Sequence, residues 1–191
     1  LVCVFAVMVI GACSGVGVIR GIIASAPTID DIVATPTGFL STVLDANGNQ
    51  TATLVASGSN RRAVTIDEIP KNLRHAFVAI EDERFYEHNG IDVTGIIRAG
   101  VKGVASGFHF SEGASTITQQ LLKNTVFTSW TSESSMADKF ERKFQEQYLA
   151  LQLEKVVDKD WILENYLNAI NLGQNTLGVG VASERYFGKD V

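Results

Sequence analysis

The chain has 191 residues, of which 46% are hydrophobic and 19% charged, a balance that excludes wholesale disorder and suits one folded domain with a short appendage. Lys and Arg number 16 against 21 Asp and Glu, so the formal charge of -5 excludes a bulk nucleic-acid binder and leaves anion recognition to local cationic clusters. Three prolines and seventeen glycines exclude a collagen-like or Pro-rich chain.

The first residue is Leu1 rather than Met, so the start is expected to lie inside a longer reading frame. Leu1 to Ile19 carry no charge, and at roughly 1.5 Å per helical residue this run approaches the thickness of a bilayer core. Residues 1–26 are read as a transmembrane signal-anchor. A cleaved signal peptide is the alternative, since Ala24, Ser25 and Ala26 form an A-x-A pattern, but Pro27 sits awkwardly after such a cut. Both cysteines, Cys3 and Cys13, fall in this run, so the rest of the chain has no disulfide or Cys-type zinc site. The spacing of His75, His88 and His109 fits no short metal motif.

Residues 27–60 read as a linker followed by a β-hairpin, because two β-branched runs flank Asp45, Ala46, Asn47 and Gly48. From Thr65 the pattern is helical, with Thr65 and Glu68 in capping-box spacing, Pro70 in the first turn, and Leu73, Phe77 and Ile80 on one face. Further helices are expected from Asp92 to Gly107, Ser115 to Thr125, Met136 to Val157 and Asp158 to Ile170. Phe140, Phe144, Tyr148 and Leu151 are expected on one side of the Met136–Val157 helix, and Leu163, Tyr166, Leu167 and Ile170 to be buried in the last. The stretch TSWTSESS reads as a loop, and Tyr186, Phe187 and Gly188 as packing at an aromatic turn. The soluble part is mainly α.

Three segments hold the residues with chemical reach. Glu81 to Gly90 place several carboxylates where a helix ends, which by itself also describes a salt-bridged helix terminus. Glu112 to Leu121 join a Gly-containing loop to a helix start, followed by Lys123 and Asn124; free N–H groups and hydroxyls there suit an anionic oxygen, and an ordinary Ser N-cap would look the same. Arg142 and Glu146 are helical i,i+4 neighbours, with Lys139 and Lys143 in adjoining turns, either a surface ion pair or a carboxylate flanked by phosphate-holding cations.

Taken together and in order, these segments resemble glycosyltransferase family 51, the peptidoglycan glycosyltransferase domain of class A penicillin-binding proteins. EDxxFxxHxG is met by Glu81, Asp82, Phe85, His88 and Gly90; GxSTITQQLxKN by Gly113 through Asn124; RKxxExxxA by Arg142, Lys143, Glu146 and Ala150; KxxILExYLN by Lys159 through Asn168; GVxxAxxxYFGK by Gly178 through Lys189. The resemblance covers residues 60 to 191 and assigns 61–191 to the glycosyltransferase domain. It implies a mostly helical, lysozyme-like fold that continues past Val191 through further helices and usually into a transpeptidase domain, so the domain is expected to be incomplete here.

The resemblance further implies polymerisation of lipid II into β-1,4-linked glycan on the outer face of the cytoplasmic membrane, with release of polyprenyl pyrophosphate. Glu81 is then the general base and Glu146 a second carboxylate that positions either a divalent cation, Mg or Mn, or the pyrophosphate network. Lys123, Arg142 and Lys143 would neutralise the pyrophosphate, while Ser115, Thr118, Gln119, Gln120 and Asn124 would lie along the donor site, Gln120 being the most structural of them. Asp82, Phe85, His88, Gly90 and Gly113 are implied to shape the motif. The partners implied are lipid II, the growing glycan strand, the membrane and cell-wall synthesis proteins, with no nucleic acid and no tightly bound cofactor. A lysozyme-like lytic glycosidase and an inactive membrane-tethered scaffold are the alternative readings. Phe108, Phe110, Phe127 and Trp130 are candidates for dipping into the membrane interface.

Overall fold

A computed structural model of the chain describes residues 14–29, 34–56, 60–107 and 113–191. Residues 14–24 are helical (α1). The rest of the expected membrane span, with Cys3 and Cys13, lies outside the described residues, as do Phe108, Phe110 and Glu112. No helix among the described residues is long and apolar enough to cross a membrane.

The expected hairpin is present: β1 (Ser41–Leu44) pairs antiparallel with β2 (Gln50–Leu54), Ser41 opposite Leu54. The Asp45 carboxylate accepts from the N–H groups of Asn47 and Asn49 at 2.8 and 2.9 Å, and Gly48 takes a φ of 85° that an L side chain resists. The ribbon is exposed throughout and is tied to the body at its base, where Leu40 N–H donates to Arg61 O at 2.8 Å and the Arg61 guanidinium donates to Thr37 O and Ala169 O.

Among the described residues, six helices form the body: α2 (Lys71–Glu81), α3 (Val93–Ala105), α4 (Ile117–Thr125), α5 (Met136–Leu153), α6 (Lys159–Ala169) and α7 (Val179–Phe187). Four starts are set by side-chain caps, in which Asp92, Thr116, Ser135 and Asp158 accept from Gly95, Gln119, Ala137 and Trp161 N–H. α6 is the central post, burying nearly every position from Ile162 to Ala169. α4 packs against both α5 and α6 and closes the core with Ile117, Leu121 and Leu122 on Leu149, Ile162, Leu163 and Leu167, all fully buried.

Several expectations are corrected. The Thr65–Glu68 capping pair exists, with Thr65 N–H donating to Glu68 Oε2 at 2.6 Å, but it closes a turn, and the helix begins after Pro70. Proline disfavours helical dihedrals at the residue before it, which separates the turn from α2. On α5 the core face is Gln145, Glu146, Leu149, Ala150 and Leu153; Phe140 and Leu151 are exposed. Ile80 is 81% exposed rather than sharing a buried face with Leu73 and Phe77. Tyr186 and Phe187 are exposed and belong to a helix, α7, that Gly188 ends in the left-handed conformation. The TSWTSESS stretch contains a 3-10 turn over Thr128–Ser132.

Candidate active site

Glu81 is the last residue of α2 and is exposed. The loop from Asp82 to Gly90 is tightly held. The Asp82 carboxylate, buried, accepts from Ile117 N–H at 3.0 Å at the start of α4 and from His88 Nε2 at 2.9 Å. Gly90 N–H donates to His88 Nδ1 at 3.2 Å, which places the imidazole proton on Nε2, facing Asp82. Gly90 has a φ of 92°, and a Cβ there would stand 2.6 Å from the Ala150 carbonyl group. Only glycine lets the loop press against α5. Its carbonyl accepts from Thr116 Oγ1 at 2.8 Å. Phe85 is fully buried under the loop, with the Lys159 ammonium 4.4 Å from its ring centre. Asp82, Phe85, His88 and Gly90 therefore fix the point at which α2 delivers Glu81.

Across from Glu81, α4 presents Gln120 and Lys123, three residues apart and so on one face. Gln120 Nε2 donates to Glu81 Oε2 at 3.0 Å. Lys123 lies half-buried, 4.6 Å from the Trp130 ring centre. Burial pushes its ammonium below the usual lysine range, with Lys143 and Arg142 adding to this and Glu146 and Glu81 opposing it. Lys123 is thus within electrostatic reach of both motif glutamates.

Glu146, on α5, has no exposed surface. Its Oε1 accepts from Arg142 Nη1 and its Oε2 from Lys143 Nζ at 2.8 Å. Lys143, whose side chain keeps 42% of its exposure, also donates to Ser115 Oγ at 3.0 Å. Arg142 Nε donates to both Glu133 oxygens, at 2.8 and 3.0 Å. Burial alone would depress the guanidinium, but its bonds to Glu133 and Glu146 outweigh this and raise it. Both Glu146 oxygens are engaged by cations, and among the described residues no group of three or more His, Cys, Asp or Glu side chains is placed to hold a metal. Of the two expectations at Glu146, a divalent cation or the pyrophosphate network, these contacts with Arg142 and Lys143 suit the second.

Other residues are placed differently from expectation. Thr118 and Gln119 are 0% and 2% exposed and face inward: Thr118 donates to Glu154 at 2.5 Å, and Gln119 Nε2 to Gly90 O at 3.4 Å. They build the loop and core, whereas Gln120, expected as the structural one, meets Glu81. Asn124 is half-buried near the end of α4. Gly113 and Ser115 line a cleft of about 180 Å³ with Glu81, Glu83, Asp92 and Arg98, between the end of α2 and the start of α3. Glu133 was not singled out by the sequence; a lone acid in a Ser/Thr-rich stretch carries no spacing signal. Tyr166, read as buried, also reaches the site, 3.4 Å from Gln120 Oε1.

A family profile described as Transglycosylase matches residues 47–191. The chain belongs to the transglycosylase family. This is the family its ordered motifs resemble. Among related proteins, this transglycosylase chain is 45% identical over 176 residues to penicillin-binding protein 1A of Clostridium perfringens (strain 13), covering 91% of the chain and 25% of that protein. It is 42% identical over 194 residues to penicillin-binding protein 1A of Clostridium acetobutylicum, covering 99% of the chain and 23% of the relative. Penicillin-binding protein 1F of Bacillus subtilis is 44% identical over 152 residues, which is 79% of the chain and 20% of that protein. The transglycosylase chain thus spans a quarter or less of the length of these relatives.

Proposed function

We propose that this transglycosylase is a peptidoglycan glycosyltransferase with a lysozyme-like helical domain, polymerising lipid II into β-1,4-linked glycan with inversion at the donor carbon and release of polyprenyl pyrophosphate. The observation that carries the reading is the cation cluster of Arg142 and Lys143 on the two oxygens of buried Glu146, with Lys123, on the same helix face as the Gln120 that meets exposed Glu81, feeling the charge of both glutamates.

Glu81, in its ionised form, takes the proton of the acceptor sugar hydroxyl, a contribution of roughly 10²- to 10⁴-fold in rate. The attacking oxygen forms its bond to the donor carbon as the pyrophosphate oxygen leaves with the electron pair. One displacement inverts the centre and requires no covalent enzyme intermediate. Pyrophosphate leaves as a stable anion, so positive charge at its oxygens matters more than proton donation. Lys143 and Lys123 supply it. Glu146 and Glu133 hold Arg142 and Lys143 in place, which makes Glu146 a positioning residue rather than one that meets substrate. Ser115 shares Lys143 with Glu146 and marks the donor side of the cleft.

The setting is an extracytoplasmic membrane surface, with residues 1–26 as anchor, 27–60 as linker and hairpin, and 61–191 as the glycosyltransferase domain. Val93, Ile97, Val101 and Val104 share one face of α3 and are 60 to 64% exposed, on the helix whose first turn lines the cleft. A face of this kind suits the acyl boundary where a polyprenyl tail resides. Partners are lipid II, the glycan strand and other cell-wall synthesis proteins. A lytic glycosidase would share a glutamate in a helical cleft, but has no use for the cation cluster at Glu146.

Incubation of the chain in liposomes with labelled lipid II tests the reading. The expected product is glycan polymer. Cleavage of preformed glycan would support the glycosidase, and inertness toward both would support a scaffold.

A further inference from the structure

We infer that Tyr166 is a positioning residue for Glu81, acting through Gln120: its hydroxyl sets which way the Gln120 amide faces, and the amide then engages Glu81 Oε2, leaving Oε1 to take the proton. The inference rests on the glycosyltransferase reading above, in which Glu81 is the base.

The contacts form a chain through three helices. The Tyr166 hydroxyl on α6 donates to Gln120 Oε1 on α4 at 3.4 Å, and Gln120 Nε2 donates to Glu81 Oε2 on α2 at 3.0 Å. A glutamine amide can be turned over about its last bond with almost no change of shape, so something must choose its orientation. Turned the other way, its carbonyl would face the carboxylate, lone pair against negative charge. A donor at the far end removes that alternative. Tyr166 is such a donor, being only 2% exposed and pushed upward in pKa by burial and by the Glu81 charge, so it keeps its proton. The phenol ring cannot drift relative to Glu81 either. Phe77, one turn before Glu81 on α2, packs edge-on against it with centroids 6.3 Å apart and an interplanar angle of 80°.

Among the described residues no hydrogen bond reaches Glu81 Oε1. Because Glu81 is exposed, its carboxylate would otherwise rotate and share both oxygens with water. Fixing one oxygen aims the other, which is how a general base gains from orientation. Nothing else in the site requires a phenol at position 166, since Phe77 and the surrounding core would accept a phenyl ring.

The test is a double-mutant cycle in liposomes, with Tyr166→Phe, Gln120→Ala and the pair, alongside Glu81→Gln. Tyr166→Phe is expected to lower kcat about tenfold, the effect of losing one hydrogen bond in a charge-bearing chain, with KM for lipid II unchanged. Its Tm stays within about 2 °C of the parent. The double variant is expected to be no slower than Gln120→Ala alone, because the hydroxyl acts only through the amide. Wild-type kcat in Tyr166→Phe, an effect confined to KM, or single effects that multiply in the double variant would each overturn the relay. Normal polymerisation by Glu81→Gln would instead overturn the base assignment beneath it.

Discussion

Lys123 shows how the site trades stability for charge. A half-buried ammonium beside Arg142 and Lys143 destabilises the fold, and its pKa in the folded chain lies below the ordinary lysine value of 10.5. The penalty is complete below both the folded and unfolded values and is relieved as pH rises from the folded value toward 10.5. Lys123→Met is therefore expected to raise Tm at pH 7, with the gain shrinking as pH approaches 10, while polymerisation falls by tenfold or more on the order of a lost charge-assisted contact. Calorimetry across pH checks the first part; an unchanged or lowered Tm at pH 7 would contradict it. The Arg142–Glu146 spacing was legible as one helical turn. That Glu146 is buried was not, because burial depends on α4 covering α5, a contact between distant segments. Glu133 closes the cluster from a stretch without periodicity, so only the folded chain reveals it. The QQ pair was legible as a motif, but which amide faces the cleft depends on how α4 is rotated against α6.

At the scale of elements, the helices were readable where caps and hydrophobic spacing agreed, as at Asp92 and Asp158, whereas the cap of α4 is Thr116, one residue past the expected Ser115. They were misread where a proline or an aromatic run competed. Pro70 splits the capping turn from α2, and Phe140 draws attention to a face of α5 that the core does not use. α3 is the clearest functional feature that helix spacing alone did not disclose: Val93, Ile97, Val101 and Val104 lie outside in the structure. Ile97→Ser with Val101→Ser is expected to leave Tm unchanged, since both side chains are already exposed, and to weaken binding to anionic liposomes about tenfold, from roughly 1.5 kcal/mol of lost apolar burial. Co-sedimentation with vesicles measures this. Binding equal to that of the parent would separate α3 from the membrane.

Across the whole molecule, α6 carries the arrangement. Its Glu164 accepts from Ile66 N–H at 2.7 Å and its Asn168 bonds both the N–H and the carbonyl of Val64, which fixes the approach to α2 and hence to Glu81. Its Tyr166 meets Gln120 on α4, and α4 in turn packs on α5, which carries the cation cluster. Glu81 and the charge cluster are thus referred to one post, and the proposed reading gives the two glutamates different roles. Parallel assays of Glu81→Gln and Glu146→Gln, for donor-analogue binding and for polymerisation, test this division most directly. Glu81→Gln should bind the donor analogue within about twofold of the parent and form no polymer. Glu146→Gln, which leaves Arg142 and Lys143 without their shared carboxylate, should lose roughly 3 kcal/mol of stability and at least about tenfold in donor affinity. Polymer from Glu81→Gln, or parental stability and donor binding in Glu146→Gln, would contradict the account.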